Sequence, residues 1–211
     1  RVLALTEKNK LDFATLLAQR NQLLSAEQPH STLEKMLVTE LFSSKIPFVD
    51  FYNRAMHDPH VGFYNVSEKL VGSTPGSEFT TMPHQSEEFG LITALTLFDL
   101  WLKAGKPSSF IVPEMGAGEG EWAKDIITYI VDQSGKDWSA FQQALQYEII
   151  ELNPALVERQ RQKLKGLPVK IKNGSTLQLP YANQSVRGCF LSNELIDAFP
   201  IHKVRVADGT L

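Results

Sequence analysis

The sequence predicts an α/β fold built on a parallel sheet and preceded by a helical extension. Apolar runs rich in strand-forming residues alternate with helix-like segments between residues 110 and 191. A strand, a glycine-rich turn and a helix follow one another without a break over residues 110–131. Residues 1–45 show helical periodicity alone. Alternating strands and helices are typical of parallel sheets, whose ligands bind beyond the carboxyl ends of the strands. We therefore divide the chain into a helical extension, residues 1–46, and an αβ domain, residues 47–211.

The composition excludes several classes of protein. Hydrophobic residues make up 43% of the 211 residues and charged residues 21%, which is ordinary for a globular protein. The formal net charge of -3 gives no electrostatic reason to expect nucleic acid as a partner. No apolar run approaches the ~20 residues of a membrane helix, so we expect no membrane insertion.

Cysteine usage indicates a reducing compartment. The chain has one cysteine, Cys189, so a disulfide or a multi-cysteine zinc site within one chain is excluded, and we predict no metal centre. The bacterial cytoplasm and the mitochondrial matrix both fit. Because Cys189 lies in an apolar run, we expect it to fill the core rather than act as a nucleophile.

Two amphipathic helices are predicted within residues 1–45. Apolar residues at positions 13, 16, 17 and 24 share one face of the first helix. Ser31 and Glu34 form a capping box that opens the second, with its apolar stripe at positions 33, 36, 37 and 41. Both stripes are expected to face a core, and binding of a partner is the alternative. A third, short helix is predicted from near Pro47 to Met56.

The next stretch, residues 67–87, lacks periodicity and is rich in glycine, serine, threonine and proline. An irregular stretch of this length is more often a functional loop or lid than packing. Residues 89–102 then predict a helix that is apolar nearly all round, and we expect it to be buried.

A glycine-rich turn follows the first strand of the αβ region. That strand ends at Glu114, glycines stand at positions 116, 118 and 120, and a helix begins near Trp122. Glycines let backbone N–H groups approach a ligand, and the helix N-terminus behind them is a positive dipole end. The spacing departs from the dinucleotide fingerprint G-x-G-x-x-G. It resembles motif I of class I S-adenosyl-L-methionine-dependent methyltransferases, and a glycine-rich turn without such a cofactor is the alternative.

The second strand is predicted over residues 147–151, after a helix over residues 138–145, and it ends at Glu151. A carboxylate at the tip of this strand is where the ribose hydroxyls of a cofactor held at the first turn would lie. The alternative is that Glu151 caps the next helix, predicted over residues 154–165.

Two further strands are predicted over residues 169–172 and 186–191. Asn173 follows the first of them, and Asn193 and Glu194 follow the second. Since the carboxyl ends of parallel strands meet at one edge, we expect these residues to converge with the glycine turn and Glu151.

Five motifs resemble, in order and spacing, those of the MidA family. They are Asp58-Pro-His-Val-Gly-Phe-Tyr64, Phe79-Thr-Thr-Met-Pro83 with Phe89-Gly90, Glu114-Met-Gly-Ala-Gly118, Ile150-Glu-Leu-Asn-Pro154 and Ser192-Asn-Glu-Leu-Ile-Asp-Ala-Phe-Pro200. The resemblance runs from about position 47 to position 202. It implies a Rossmann-like class I methyltransferase; mitochondrial members of the family assist assembly of respiratory complex I by methylating an arginine in one of its subunits.

The resemblance also implies site residues and a protein substrate. S-adenosyl-L-methionine would bind at Glu114, Gly116, Ala117, Gly118 and Glu151, with Asn173, Asn193 and Thr81 completing its surroundings. Glu194, and after it Asp197, would be the catalytic carboxylates that hold an arginine guanidinium in bidentate fashion and aim one nitrogen at the methyl group. The alternative for Glu194 is a capping acid at a helix start.

The long loop departs from the family pattern. Where the family has Gly-Asp-Phe-Ile-Thr-Ser-Pro-Glu, this chain has Ser77-Glu-Phe-Thr-Thr-Met-Pro-His84. His84 thus replaces a carboxylate that could face the substrate. Two alternatives to protein arginine methylation follow: a small-molecule methyltransferase, and a catalytically reduced assembly factor or binding module that keeps the fold.

Both ends of the chain suggest a partial domain. The sequence starts at Arg1 and stops shortly after a hairpin signal at Asp208 and Gly209, so we expect the methyltransferase domain to be incomplete at its C-terminus. A partial sheet exposes an edge, which a second copy of the chain could cover as a homo-oligomer.

Overall fold

The computed structural model describes residues 46–58, 60, 62–66 and 80–204. The helices predicted within residues 1–45, most of the long loop and the hairpin signal at 208–209 lie outside these residues. The chain divides into two compact units, Arg1–Ser67 with Pro200–Leu211, and Glu68–Phe199. The boundary between residues 46 and 47 stays a prediction.

The first unit contains two described helices, α1 (Phe48–His57) and α2 (Phe63–Val66). Helix α1 confirms the short helix predicted near Pro47. The carbonyl of Pro47 accepts the N–H groups of Asp50 and Phe51 at 3.0 and 3.1 Å, which closes the first turn. Proline suits this start because its fixed φ is compatible with a helix entry.

The second unit contains a four-stranded parallel sheet in the order β3-β2-β1-β4. The strands are β1 (Phe110–Met115), β2 (Leu145–Glu151), β3 (Val169–Asn173) and β4 (Leu191–Ser192). Strands β2 and β3 follow β1 on one side of it, and β4 pairs with β1 on the other side. The strand order therefore reverses at β1, the position at which parallel αβ sheets bind ligands. The predicted α/β class is confirmed.

Helices alternate with the strands along the chain, as expected. In chain order they are α3 (Met82–Gln85), α4 (Glu87–Lys103), α5 (Glu121–Asp132), α6 (Lys136–Ala144), α7 (Pro154–Lys163) and a 3-10 turn (Ile196–Ala198). Helix α4 begins two residues earlier than predicted, with Glu87 and Glu88 in its first turn. Residues 82–85, which we expected to be irregular, form the single turn of α3.

The fourth strand predicted over residues 186–191 is wrong in extent. Only an isolated bridge at Gly188 and the two residues of β4 pair with β1. The N–H of Ile111 donates to Arg187 and the carbonyl of Ile111 accepts from Cys189. At the next position of this ladder stands Pro113, which has no N–H to donate. The ladder therefore breaks there and resumes at Leu191.

The core lies between the sheet and the helices α4, α5 and α6. Three inward residues of β1 and β2, Val112, Tyr147 and Ile149, are at most 1% exposed and belong to one apolar cluster with residues of these helices. Gly90 lets α4 approach α5, since a Cβ there would lie 2.5 Å from the Cβ of Asp125.

Two expectations about burial are corrected. Helix α4 buries one face, whereas Ile92 on its other face is 60% exposed, so its apolar composition does not mean burial all round. Cys189 is half buried at the margin of the core rather than within it.

Among the described residues, none of the helices is long and apolar enough to cross a membrane, and no group of three or more metal-ligating side chains comes together.

Candidate functional site

The carboxyl ends of the strands bring the predicted site residues to one edge of the sheet. Met115 pairs with Ile150 of β2 and with Ser192 of β4, and Glu151 pairs with Asn173 of β3. The N–H of Gly116 faces the carbonyl of Ile150 at 3.4 Å. The convergence expected from the sequence is therefore present in the backbone.

The glycine turn requires backbone conformations that side chains disfavour. Gly116, Gly118 and Gly120 have φ values of 68°, 56° and 89°, in the left-handed region that glycine occupies without steric cost. The turn is closed by a hydrogen bond of 2.9 Å from the N–H of Gly120 to the carbonyl of Ala117. Helix α5 begins at the next residue, so its N-terminal dipole end lies directly behind the turn.

Two of the three glycines, Gly118 and Gly116, face different surroundings. A Cβ on Gly118 would meet no atom within 4 Å, so this part of the turn is open to a ligand. A Cβ on Gly116 would lie 2.8 Å from Cδ1 of Leu195, which places the segment after β4 directly against the turn.

Glu151 is held in place on both of its carboxylate oxygens. Its Oε1 accepts the N–H of Asn153 at 2.8 Å, and its Oε2 lies 3.3 Å from Nε2 of Gln160. The residue is 7% exposed. Burial raises the pKa of its carboxyl group, while these hydrogen bonds lower that pKa by a smaller amount. The N-cap of α7 is Asn153, whose side chain accepts the N–H of Ala155 at 2.8 Å. The side chain that caps α7 is therefore that of Asn153 and not that of Glu151.

Asn173 supports the end of β2 from β3. Its Nδ2 donates to the carbonyls of Glu151 and Leu152 at 2.9 and 3.0 Å. Both contacts hold backbone, so the described role of this side chain is to fix the chain around Glu151.

Glu114 lies beneath the turn, inside the core. It is 2% exposed, and its Oε2 accepts the hydroxyl of Tyr147 at 2.8 Å. Burial raises the pKa of Glu114 to about 7; the Tyr147 hydrogen bond opposes this and the charge of Glu151 adds to it. Burial, with Glu114 beside it, also raises the pKa of Tyr147 well above its ordinary value, so this hydroxyl remains a donor.

Thr81 and His84 connect α3 to the first turn of α5. The Oγ1 of Thr81 lies 3.0 Å from Nδ1 of His84, whose Nε2 lies 3.1 Å from Oε2 of Glu121. Burial and the neighbouring Lys163 ammonium lower the pKa of His84, and Glu119 opposes them. His84 also lines a pocket of about 290 Å³. These contacts join Thr81 through His84 to Glu121, the residue that follows the glycine turn.

The predicted acceptor side follows β4. Asn193 is half buried, while Glu194 and Asp197 are exposed. Glu194 has a φ of 49°, and the cap position of the 3-10 turn is Leu195. Because Leu195 contacts Gly116, both carboxylates belong to a segment that reaches the glycine turn.

The family model described as "Putative S-adenosyl-L-methionine-dependent methyltransferase" matches residues 92–211, more than half of the chain. The chain belongs to this family. The matched region includes all four strands, the glycine turn and Glu151. Thr81 and His84 precede it.

Curated proteins similar to this chain confirm the resemblance that the sequence motifs indicated. The NDUFAF7 homolog of Drosophila melanogaster, a mitochondrial protein arginine methyltransferase, is 25% identical over 87% of this chain and 44% of its own length. The NDUFAF7 proteins of Danio rerio and Homo sapiens are 26% and 23% identical over 85% and 84% of this chain. The chain spans less than half of the length of these relatives.

The fold also occurs in a solved structure. A protein from Burkholderia thailandensis, crystallised with S-adenosyl-homocysteine, matches 88% of this chain and 43% of its own with a TM-score of 0.61 and 24% identity. A native structure from the same organism matches with a TM-score of 0.55 and 22% identity. These likenesses confirm the class I fold for this member of the family.

The sequence did not reveal Gln160, which joins the turn to Glu151. Its Nε2 donates to the carbonyl of Gly118 at 2.7 Å and lies 3.3 Å from Glu151. The available signal was a glutamine on the apolar stripe of α7, between Val157 and Leu164. A polar residue at a core position of a helix beside a ligand site indicates a hydrogen-bonding task.

Proposed function

We propose that this chain binds S-adenosyl-L-methionine and methylates arginine in a protein partner. One observation carries the cofactor assignment: the open turn at Gly118 and the restrained carboxylate of Glu151 are joined through one side chain at the edge where the strand order reverses. The family description and the S-adenosyl-homocysteine bound by the Burkholderia protein support it. The names of the curated relatives support arginine as the acceptor.

The residues present fit the cofactor. Glu151 has lone pairs left on both oxygens for the two ribose hydroxyls, and Gly118 leaves room for close approach of the backbone. The N-terminus of α5 offers backbone donors and a positive dipole end to the carboxylate of the amino-acid moiety. When bound, S-adenosyl-L-methionine supplies an electrophilic methyl group on a sulfonium.

The acceptor would be held by Glu194, with Asp197 second. An exposed carboxylate can receive two parallel N–H groups of a guanidinium, which orients the planar group and neutralises its charge. A guanidinium nitrogen must lose a proton to bond to the methyl group, and a carboxylate hydrogen-bonded to it is placed to accept that proton. Positioning of the nitrogen contributes most to such a transfer.

The comparisons also bear on the localisation of the protein. The curated relatives carry the word mitochondrial in their names, and the similar solved structures are bacterial, so the mitochondrial matrix and the bacterial cytoplasm both remain in agreement with the comparisons. Formation of homo-oligomers stays a prediction.

The test is calorimetric titration with S-adenosyl-L-methionine and S-adenosyl-homocysteine. Glu151→Gln should weaken both ligands on the order of tenfold or more, since a hydrogen bond to a charged group contributes about 1.5 to 3 kcal/mol. Glu158→Gln is the matched control, because Glu158 is an exposed carboxylate on α7. Equal affinity for wild type and Glu151→Gln would overturn the assigned ribose contact.

The acceptor is tested separately with methyl-labelled cofactor. Incorporation of label into precipitable protein, lost in Glu194→Gln while cofactor affinity is kept, would support protein methylation. Label in a small filterable product would favour the small-molecule alternative, and absence of transfer despite binding would favour a binding module.

A further inference from the structure

We propose that Gln160 is a positioning residue that couples the orientation of the Glu151 carboxylate to the glycine turn at Gly118. This inference rests on the proposed binding of S-adenosyl-L-methionine. The side-chain amide of Gln160 would fix the position of the Glu151 carboxylate, the proposed ribose contact, relative to the turn at Gly118.

The geometry places Gln160 between the two elements. It lies on α7, the helix that returns along the sheet after β2, and it is 0% exposed. Its Nε2 is 2.7 Å from the carbonyl oxygen of Gly118 and 3.3 Å from Oε2 of Glu151. One amide group thus touches residues that are 42 and 9 positions away in the sequence.

The amide can adopt only one orientation. Both neighbouring atoms are oxygen acceptors, so the NH₂ end must face them, and exchanging the two ends would set three oxygens against each other. The opposite end, Oε1, is buried and makes no hydrogen bond with the described residues. A buried amide with one end unpaired is less favourable than the leucine-like packing of its neighbours Val157 and Leu164. Packing alone therefore does not account for a glutamine at this position.

The consequence concerns Glu151. Its Oε1 is held by the N–H of Asn153, and without Gln160 its Oε2 would lose the contact with Nε2 at 3.3 Å. The carboxylate could then rotate about its last torsion, which is a broad and weakly restrained one. The carbonyl of Gly118 would lose its contact at the same time, so the turn and the acid would no longer be placed relative to each other.

The first experiment compares the affinities of two ligands for wild type and two variants of the full chain. S-adenosyl-homocysteine and its 2′-deoxy analogue are titrated into wild type, Gln160→Leu and Gln162→Leu. Gln162 is the matched control, because it lies on the same helix with an exposed side chain whose contact is to Glu158. Thermal melting and circular dichroism show whether each variant is folded.

The wild type should prefer the ligand with the 2′-hydroxyl by on the order of tenfold. Gln160→Leu should weaken S-adenosyl-homocysteine by a similar factor and reduce that preference to about threefold or less. Gln162→Leu should keep both values. General damage to the site would instead weaken the two ligands equally and leave the preference unchanged, and that result would overturn the inference.

A second variant, Gln160→Glu, tests the same contact through its pH dependence. Wild-type affinity should increase as pH rises, because burial raises the pKa of Glu151 and its ionised form accepts the hydroxyls. A carboxylate at position 160 would face Glu151 and the Gly118 carbonyl, so the affinity of Gln160→Glu should decrease as pH rises and the added carboxyl group ionises. A pH profile parallel to that of wild type would count against the coupling.

Failure of the inference and failure of the proposed function are distinguishable. If wild type does not bind S-adenosyl-homocysteine, the proposed function fails and this inference with it. If wild type binds and Gln160→Leu retains both the affinity and the 2′-hydroxyl preference, the inference alone is overturned.

Discussion

The hydroxyl of Tyr147 donates a hydrogen bond of 2.8 Å to Oε2 of Glu114, between β1 and β2 and inside the core. Tyr147 is 1% exposed and Glu114 is 2% exposed. The acidic residue of the glycine motif is therefore a buried group with a buried donor, directly below the candidate cofactor site. Because its pKa is raised to about 7, its charge changes near neutral pH.

Glu114 should make the stability of the protein fall as pH rises. Its folded pKa of about 7 exceeds the ordinary value of 4.5, so its stabilising contribution is complete below 4.5 and is lost as pH rises through 7. Glu114→Gln keeps the shape and removes the titration. The quantity to follow is the free energy of unfolding of Glu114→Gln minus that of wild type. This difference should be about 3 kcal/mol more favourable to the variant above pH 7 than in acid. Urea unfolding across this window measures the difference, with Glu158→Gln as an exposed control; a constant difference would contradict the prediction.

Tyr147→Phe should raise the pKa of Glu114 further, since it removes a hydrogen bond that favours the charged form. We expect a cost of about 1 to 3 kcal/mol when Glu114 is ionised and a smaller one in acid. In the Glu114→Gln background the pH dependence of that cost should vanish. Equal costs of Tyr147→Phe at every pH in both backgrounds would show that the two groups are not coupled.

Position 84 should not tolerate a carboxylate in this chain. The His84 side chain is 5% exposed and its Nε2 lies 3.1 Å from Oε2 of Glu121. His84→Glu would set two carboxylates against each other, with Lys163 as a partial counter-charge on Glu121. We expect a loss of about 1 to 3 kcal/mol, which Glu121→Gln should partly restore. A double-mutant cycle by urea unfolding measures the coupling, and additive effects would exclude direct repulsion.

Those parts of the candidate site that are set by local backbone structure could be predicted from the sequence. Those that depend on contacts between buried side chains distant in the sequence could not. The three glycines and the acidic residues near the strand ends, Glu114 and Glu151, are local signals, and the structure places them as the alternation of strands and helices required. The fourth strand was predicted, but its short extent was not, because Pro113 interrupts the hydrogen-bond ladder from the neighbouring strand, a non-local effect. Gln160 and Tyr147 were missed as site neighbours because their contacts join residues 42 and 33 positions apart.

Gly118 and Gly116 should respond differently to alanine. Both have positive φ, so each substitution carries a backbone penalty of about 1 to 2 kcal/mol. At Gly118 the added Cβ enters open space, so Gly118→Ala should chiefly weaken S-adenosyl-homocysteine. At Gly116 the Cβ would lie 2.8 Å from Leu195, so Gly116→Ala should cost additional stability. Gly105→Ala is the control, with φ of 81° and nothing within 4 Å. Calorimetry and unfolding should separate the three, and equal ligand affinity in Gly118→Ala and wild type would contradict the assignment.

Gly188→Ala should detach the segment that carries Glu194 from β1. A Cβ at position 188 would lie 1.8 Å from the carbonyl oxygen of Ile111, which is backbone and cannot move aside without breaking the bridge. Because β4 adds only two residues of pairing beyond this point, we expect a loss of stability on the order of 3 kcal/mol or more. Gly174→Ala, where a Cβ meets nothing within 4 Å, is the matched control. If Glu194 presents the acceptor, Gly188→Ala should also lower methyl transfer more than cofactor affinity, whereas proportional losses would place the acceptor site elsewhere.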